Sequence, residues 1–240
     1  MLIFLDLETT GLEHEDKICA IAYISVEGER VNYKYELLNE GKKIPPKASS
    51  IHHITNEMIQ GKSTFQESEV FTFLRENNNH NATLVGHNIK FDLEKLSSAG
   101  LIWQGEVLDT LRITKHMIPE CELFGLQVLR YELKLYRYEI KEKEKCGIKD
   151  ALFAHHALSD ALVVKQLYEV LLEFTTQENM LRLTQEKVLQ SKFSFGKYEG
   201  KYIEEVALND RTYLEWMLRS LSDLDEDMRY TLQYYLEGVL

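Results

Sequence analysis

The chain has 240 residues, 44% of them hydrophobic and 28% charged, with a formal net charge of −11. This is the make-up of an ordinary globular protein, with room for one medium domain and an appendage. It excludes a protein that grips long duplex by charge alone, because duplex affinity comes largely from phosphate neutralisation.

The first element is a short apolar strand from Leu2 to Leu5, interrupted by Asp6 and Glu8 and turned away by Thr9, Thr10 and Gly11. Side chains two apart on a strand share a face, so both carboxylates leave the same side of the sheet. Close buried acids repel, and a divalent metal with a preference for oxygen ligands is the usual remedy. Residues 17–38 read as two strands separated by Glu-Gly-Glu, the second alternating Val31, Tyr33 and Tyr35 with polar neighbours. Pro45 and Pro46 begin a loop, and a helix is expected from Thr55 as N-cap. The adjacent His52 and His53 cannot share one helix face, which argues against a paired-histidine metal site.

A helix over 65–76 ends at Asn-Asn-Asn-His-Asn. Thr83 to Val85 is a short strand, Gly86 permits a tight turn, and Asn88 caps a helix whose first turn carries Asp92. Open α/β sheets place ligand-contacting residues at such strand ends; taken alone, Asp92 is as well explained by the helix dipole. Another strand ends at Asp109, with a helix from Thr110. A further helix spans 125–138 with Leu126, Leu129, Leu133 and Tyr136 as its core stripe. The lysine-rich stretch that follows interleaves glutamates and reads as a solvated face. From Ala157 a helix is expected with Leu158, Ala161, Leu162, Leu167 and Val170 inward, Asp160 in its first turns and His155 just ahead. Residues 176–192 read as a helical linker. Around Gly196-Lys197 and Gly200-Lys201 a tight turn or short hairpin is expected, then helices near 211–219 and 226–238.

Three cysteines, Cys19, Cys121 and Cys146, have an odd count and no metal-type spacing, as expected of reduced thiols in a cytoplasmic protein. No apolar run reaches the length of a membrane span and no charged leader precedes the first hydrophobic residues, so no membrane association is expected.

Asp6, Glu8, Asp92, Asp160 and His155 thus each sit at a strand end or helix start, where one mixed sheet could gather them. The segments LDLETTGL, VGHNIKFD and HHALSD resemble, in order, the three motifs of the DEDDh 3′–5′ exonucleases, the ribonuclease-H-like group containing proofreading subunits, ribonuclease T and exonuclease X. The matching positions are Asp6 and Glu8, then Asp92, then His155 with Asp160; the family's spacing selects His155 over His156. IHHIT resembles the segment between the first two motifs, with His52 as the matching histidine, and the tail FSFGKYEGKYIEEV resembles a small exonuclease-X-like C-terminal module.

The resemblance implies an α/β fold, a ribonuclease-H-like mixed five-stranded sheet flanked by helices, over residues 1–175, with a 176–192 linker and a module at 193–240. It implies two divalent metal ions, Mg2+ or Mn2+, held by Asp6, Glu8, Asp92 and Asp160, and His155 as general base. The expected partner is a DNA 3′ end, with RNA as the alternative, cleaved to 5′-mononucleotides. Thr9, Thr10, Gly11, Leu12 and His87 are the expected substrate contacts. A homodimer or a replication or repair partner is compatible with the tail, which could equally hold DNA through Lys197, Lys201, Tyr198 or Trp216. The competing readings are a phosphatase of the haloacid-dehalogenase type, with Asp6 as nucleophile and no use for His155, and a non-catalytic nucleic-acid or replication-partner binding module.

Overall fold

The structure, a computed structural model, describes residues 1–149 and 153–238. Its centre is a five-stranded sheet of order β3-β2-β1-β4-β5, built from β1 (Leu2–Thr9), β2 (Ile18–Glu27), β3 (Arg30–Leu37), β4 (Thr83–Gly86) and β5 (Glu106–Asp109). The first three strands form an antiparallel meander, and β4 and β5 add in parallel on the other side of β1. The mixed five-stranded sheet expected from the resemblance is therefore present. Glu27 pairs with Arg30, leaving a two-residue turn in which Gly28 takes the left-handed backbone (φ 59°) that a tight hairpin needs.

Between β3 and β4 lie α1 (Pro46–His52), α2 (Asn56–Ile59) and α3 (Glu69–Glu76). The loop expected at Pro45 and Pro46 is in fact the start of α1: proline is tolerated in a first helical turn, where its missing N–H has no partner to lose. The helix expected over 65–76 divides into a 3-10 turn, Phe65–Glu67, and α3, because Ser68 caps α3 by accepting from Phe71 N–H. Then come α4 (Ile89–Ser98) between β4 and β5, α5 (Thr110–Met117), α6 (Leu126–Glu132), α7 (Glu139–Lys145), α8 (Ala157–Leu172) and α9 (Gln177–Gln185).

The helix expected over 125–138 is broken. Lys134 adopts φ 58°, a 3-10 turn covers Leu135–Arg137, and Leu135, not Tyr136, is the buried residue. The stretch expected as a solvated face becomes α7, which buries Glu142 against Lys165 of α8 (2.5 Å).

The alternation along β1 determines where the acids go. Ile3, Leu5 and Leu7 pack on one face with Phe65, Val70, Leu74 and Leu96. Phe4 points to the other face, into a core with Ala22, Ile24, Val85, Leu108 and the apolar side chains of α8. Asp6 and Glu8 have Phe4's parity, so they emerge on the α8 face. α8 is apolar nearly all round and buried over most of its length, as a helix wedged against a sheet must be.

The segment read as a helical linker is helical at α9, but Met180 and Leu183 are buried in the α8-face core, so only residues 186–192 serve as a connection. Beyond it, α10 (Ile203–Asn209), α11 (Arg211–Ser220) and α12 (Glu226–Glu237) enclose their own core of Phe193, Ile203, Val206, Leu214, Met217, Met228 and Leu232. The expected hairpin is a tight turn closed by a single bridge, Lys192 to Tyr202. Lys197 pairs with Asp210 (3.0 Å) and the Tyr198 hydroxyl donates to the same carboxylate (2.7 Å), so both serve the module's own packing. Arg112 of α5 fastens the module: it reaches Asp227 of α12 (2.8 and 3.2 Å) and donates to the carbonyls of Thr184 (2.9 Å) and Glu186. Among the described residues no helix is long and apolar enough to cross a membrane.

Candidate active site

Strand parity and the position of α8 bring Asp6, Glu8 and Asp160 together. One carboxylate oxygen from each lies within 4.8 Å of the others. Asp92, in the first turn of α4, is buried just outside that trio, and its charge acts on Asp6. Four acids in one partly dry pocket cannot all hold full charge. Burial, then Asp160, Asp92 and Glu8, push Asp6 well above the ordinary carboxylate range. Burial and Asp160 push Glu8 to about 8. Asp92 is likewise raised by burial. Asp160 is raised by burial to about 7, held back by Arg130, by the His155 backbone N–H and by Gln127.

No lysine or arginine forms a salt bridge with these four acids among the described residues. An all-oxygen donor set with uncompensated charge is what a hard divalent cation requires. The residues present therefore fit the metal dependence of this kind of site, with Asp6, Glu8 and Asp160 as the donors and Asp92 close behind.

His155 stands exposed just ahead of α8 in a left-handed backbone conformation (φ 58°), and its backbone N–H bonds the Asp160 carboxylate. His156 instead caps α8 and lies against Tyr35 (4.2 Å between ring centroids). His52 is buried; its Nδ1 accepts from Ile54 N–H (3.0 Å) and its ring also bonds the Thr9 backbone. It acts as a strut beneath the turn after β1.

That turn is organised by a residue the sequence reading missed. Thr10 Oγ1 donates to Asp16 Oδ1 (2.8 Å), Glu13 N–H donates to Asp16 Oδ2 (3.0 Å), and Lys42 pairs with the same carboxylate (2.7 Å). Lys95 of α4, buried at 5% exposure, donates to the carbonyls of Glu13 and Asp16, the latter at 3.2 Å. Thr9 Oγ1 donates to the Gly11 carbonyl (2.7 Å). Leu12 projects from this clamped loop at 81% exposure. A polar side chain whose partners lie up to dozens of residues away leaves no periodic trace, which is why Asp16 was not singled out.

His87 is half-buried and bonded to protein at both ring nitrogens. Its Nε2–H donates to the Phe124 carbonyl (2.7 Å), its Nδ1 lies 3.0 Å from the Thr110 hydroxyl, and burial lowers its pKa to about 4. With both ring nitrogens engaged by protein, it holds the Gly86–Asn88 turn. Asp109 supports the same turn, accepting from Asn88 and Leu111 N–H (both 2.9 Å).

Residues 3–168 match the family model described as Exonuclease. The chain belongs to the exonuclease family. The enzyme's residues 193–222 also match the Exodeoxyribonuclease X-like C-terminal model. It is 29% identical to exodeoxyribonuclease 10 of Escherichia coli (strain K12) over 241 residues, covering 99% of this chain and 100% of that protein. It is 28% identical to a PolC-type DNA polymerase III of Thermotoga maritima over 80% of this chain and 13% of that protein. Among solved structures, exonuclease X in complex with 5′ overhanging duplex DNA superposes with a TM-score of 0.57 at 23% identity, over 77% of this chain and 99% of that one. Family membership sets aside the phosphatase and the non-catalytic binding module as accounts of the acid cluster.

Proposed function

We propose that the enzyme removes mononucleotides from the 3′ end of DNA, single-stranded or frayed, using two divalent cations and His155 as general base. The observation that carries the reading is the convergence of Asp6, Glu8 and Asp160 within 4.8 Å, with Asp92 acting on Asp6 and, among the described residues, no lysine or arginine in a salt bridge with any of them. Divalent cations bound there supply charge neutralisation at the scissile phosphate and lower the pKa of water. Asp6, Glu8 and Asp160 would hold the cations, with Asp92, whose charge acts on Asp6, in support.

His155 accepts the proton of the attacking water. Its imidazole is exposed just ahead of α8, and a positioned histidine is the side chain most often used for such proton transfer. The clamped turn of Thr9, Thr10 and Gly11 faces the terminal nucleotide, and Leu12 stacks against or between its last bases. His87 acts indirectly, by fixing the turn that starts α4. DNA is favoured over RNA by the likeness of the whole chain to exodeoxyribonuclease 10.

The test is digestion of labelled single-stranded DNA and RNA with Mg2+ or Mn2+, with and without chelator. Release of 5′-mononucleotides from DNA 3′ ends, abolished by chelator and by Asp6→Ala, is expected; equal or faster digestion of RNA would overturn the DNA assignment. His155→Ala should lower turnover by about 10² to 10⁴-fold while binding single-stranded DNA in Ca2+ nearly as well as the parent. Near-normal turnover in that variant would remove His155 from the role.

A further inference from the structure

A chain of side-chain hydrogen bonds runs from Asp160 outward along α6. Gln127 Nε2 donates to Asp160 Oδ1 (2.6 Å), Arg130 Nη1 donates to Gln127 Oε1 (3.1 Å), and Arg130 closes on both oxygens of Glu139, one of them at 2.6 Å. The sense of each bond is forced. Arginine only donates, so the Gln127 atom facing it is the oxygen, and the amide nitrogen is thereby turned onto Asp160. The His155 backbone N–H bonds the same carboxylate from the α8 side.

We propose that Gln127 is a positioning residue for the cation cluster: it fixes the plane of the Asp160 carboxylate, while Arg130 and Glu139 brace its amide in the donating orientation. The inference rests on reading Asp6, Glu8 and Asp160 as cation ligands. An aspartate beside two other acids swings away from them unless a donor holds it. An ammonium or guanidinium in direct contact would hold it but compete with the cation for the same charge. A neutral amide orients the carboxylate and leaves its charge in place; the guanidinium is kept one side chain further out and paired with Glu139. Partners of this kind behind a metal ligand are worth about 10 to 100-fold in metal affinity or activity.

The test is Mn2+ titration of the nucleic-acid-free enzyme, followed by electron paramagnetic resonance, for the parent, Gln127→Met and Arg130→Ala. Gln127→Met keeps the bulk of the half-buried side chain and removes the donor. It is expected to weaken Mn2+ binding by about tenfold or more without lowering the melting temperature in chelator, and its activity should recover as Mn2+ is raised. Arg130→Ala should weaken binding by less, and should add little in the Gln127→Met background because it acts through that amide. Mn2+ affinity of Gln127→Met equal to the parent's would overturn the proposal. A parent enzyme that bound no Mn2+ would instead overturn the reading of the acid cluster itself.

Discussion

Gly11 is the residue on which the shape of the turn after β1 depends most directly. A Cβ there would lie 2.3 Å from Asp16 Oδ2, the oxygen that accepts from Glu13 N–H. Gly11→Ala should therefore push Asp16 off Thr10 and Glu13 and move the turn by a fraction of an ångström to an ångström. Misplacement on that scale costs about 100-fold in kcat/KM, with the sheet intact; a variant within twofold of the parent would show that the turn does not set substrate position. The clustered acids carry a pH signature. Glu8 and Asp160 are raised to about 8 and about 7, and unfolded carboxyls titrate near 4. Between those limits the cation-free native state binds more protons than the unfolded chain, so its stability falls as pH rises. From pH 7.5 to 8.5, above the ordinary imidazole range near 6.5 from which burial lowers His52 and His87, the melting temperature in chelator should drop, and the stabilisation by added Mn2+ should grow as the ion replaces those protons. A melting temperature in chelator that climbs over this interval would contradict the assignment. Asp6, Glu8 and Asp160, whose carboxylates converge, and Asp92, whose charge acts on Asp6, were legible because each lies in a short contiguous motif. Asp16, Lys95 and Gln127 were not, because their meaning comes from partners between a few and 82 residues away.

At the scale of elements, the strands and α8 followed from apolar run length and parity, which is why the acid face could be anticipated. The break at Lys134 could not, since Leu133 and Tyr136 both satisfy a helical stripe until the left-handed residue between them is seen. α7 was hidden by its charge: a helix of Glu and Lys reads as solvated unless the burial of Glu142 by Lys165 is known. The contact most exposed to test is Arg112. It is partly buried, spans α5, the end of α9 and α12, and its partner Asp227 also accepts from Val188 N–H (2.9 Å). Arg112→Ala leaves Asp227 without its cation and should cost about 3 kcal/mol in unfolding free energy. Arg112→Lys should recover only part of this, as lysine cannot reach carboxylate and carbonyls in one planar fork. A loss below about 0.5 kcal/mol on denaturant titration, the level of an exposed ion pair, would mean that the module is held by its apolar contacts alone.

For the whole molecule, a net charge of −11 constrains how a polyanion can be held. Neutralisation must come from bound cations at the acid cluster and from few protein groups. Single-strand affinity measured in Ca2+ should accordingly show a shallow salt dependence, with a log–log slope of magnitude below about 2, or fewer than three phosphates neutralised. A steep slope would reveal a basic track along the protein surface. The same scale gives the Arg112 fastening a practical meaning. A shortened enzyme ending at residue 192 would keep the acid cluster and His155 yet strip the carboxylate partner from a half-buried guanidinium and leave the Val188 amide without its bond. Trimming the tail is thus not a neutral edit: the truncated protein should resist heat and proteases less well than the intact one even where its chemistry survives.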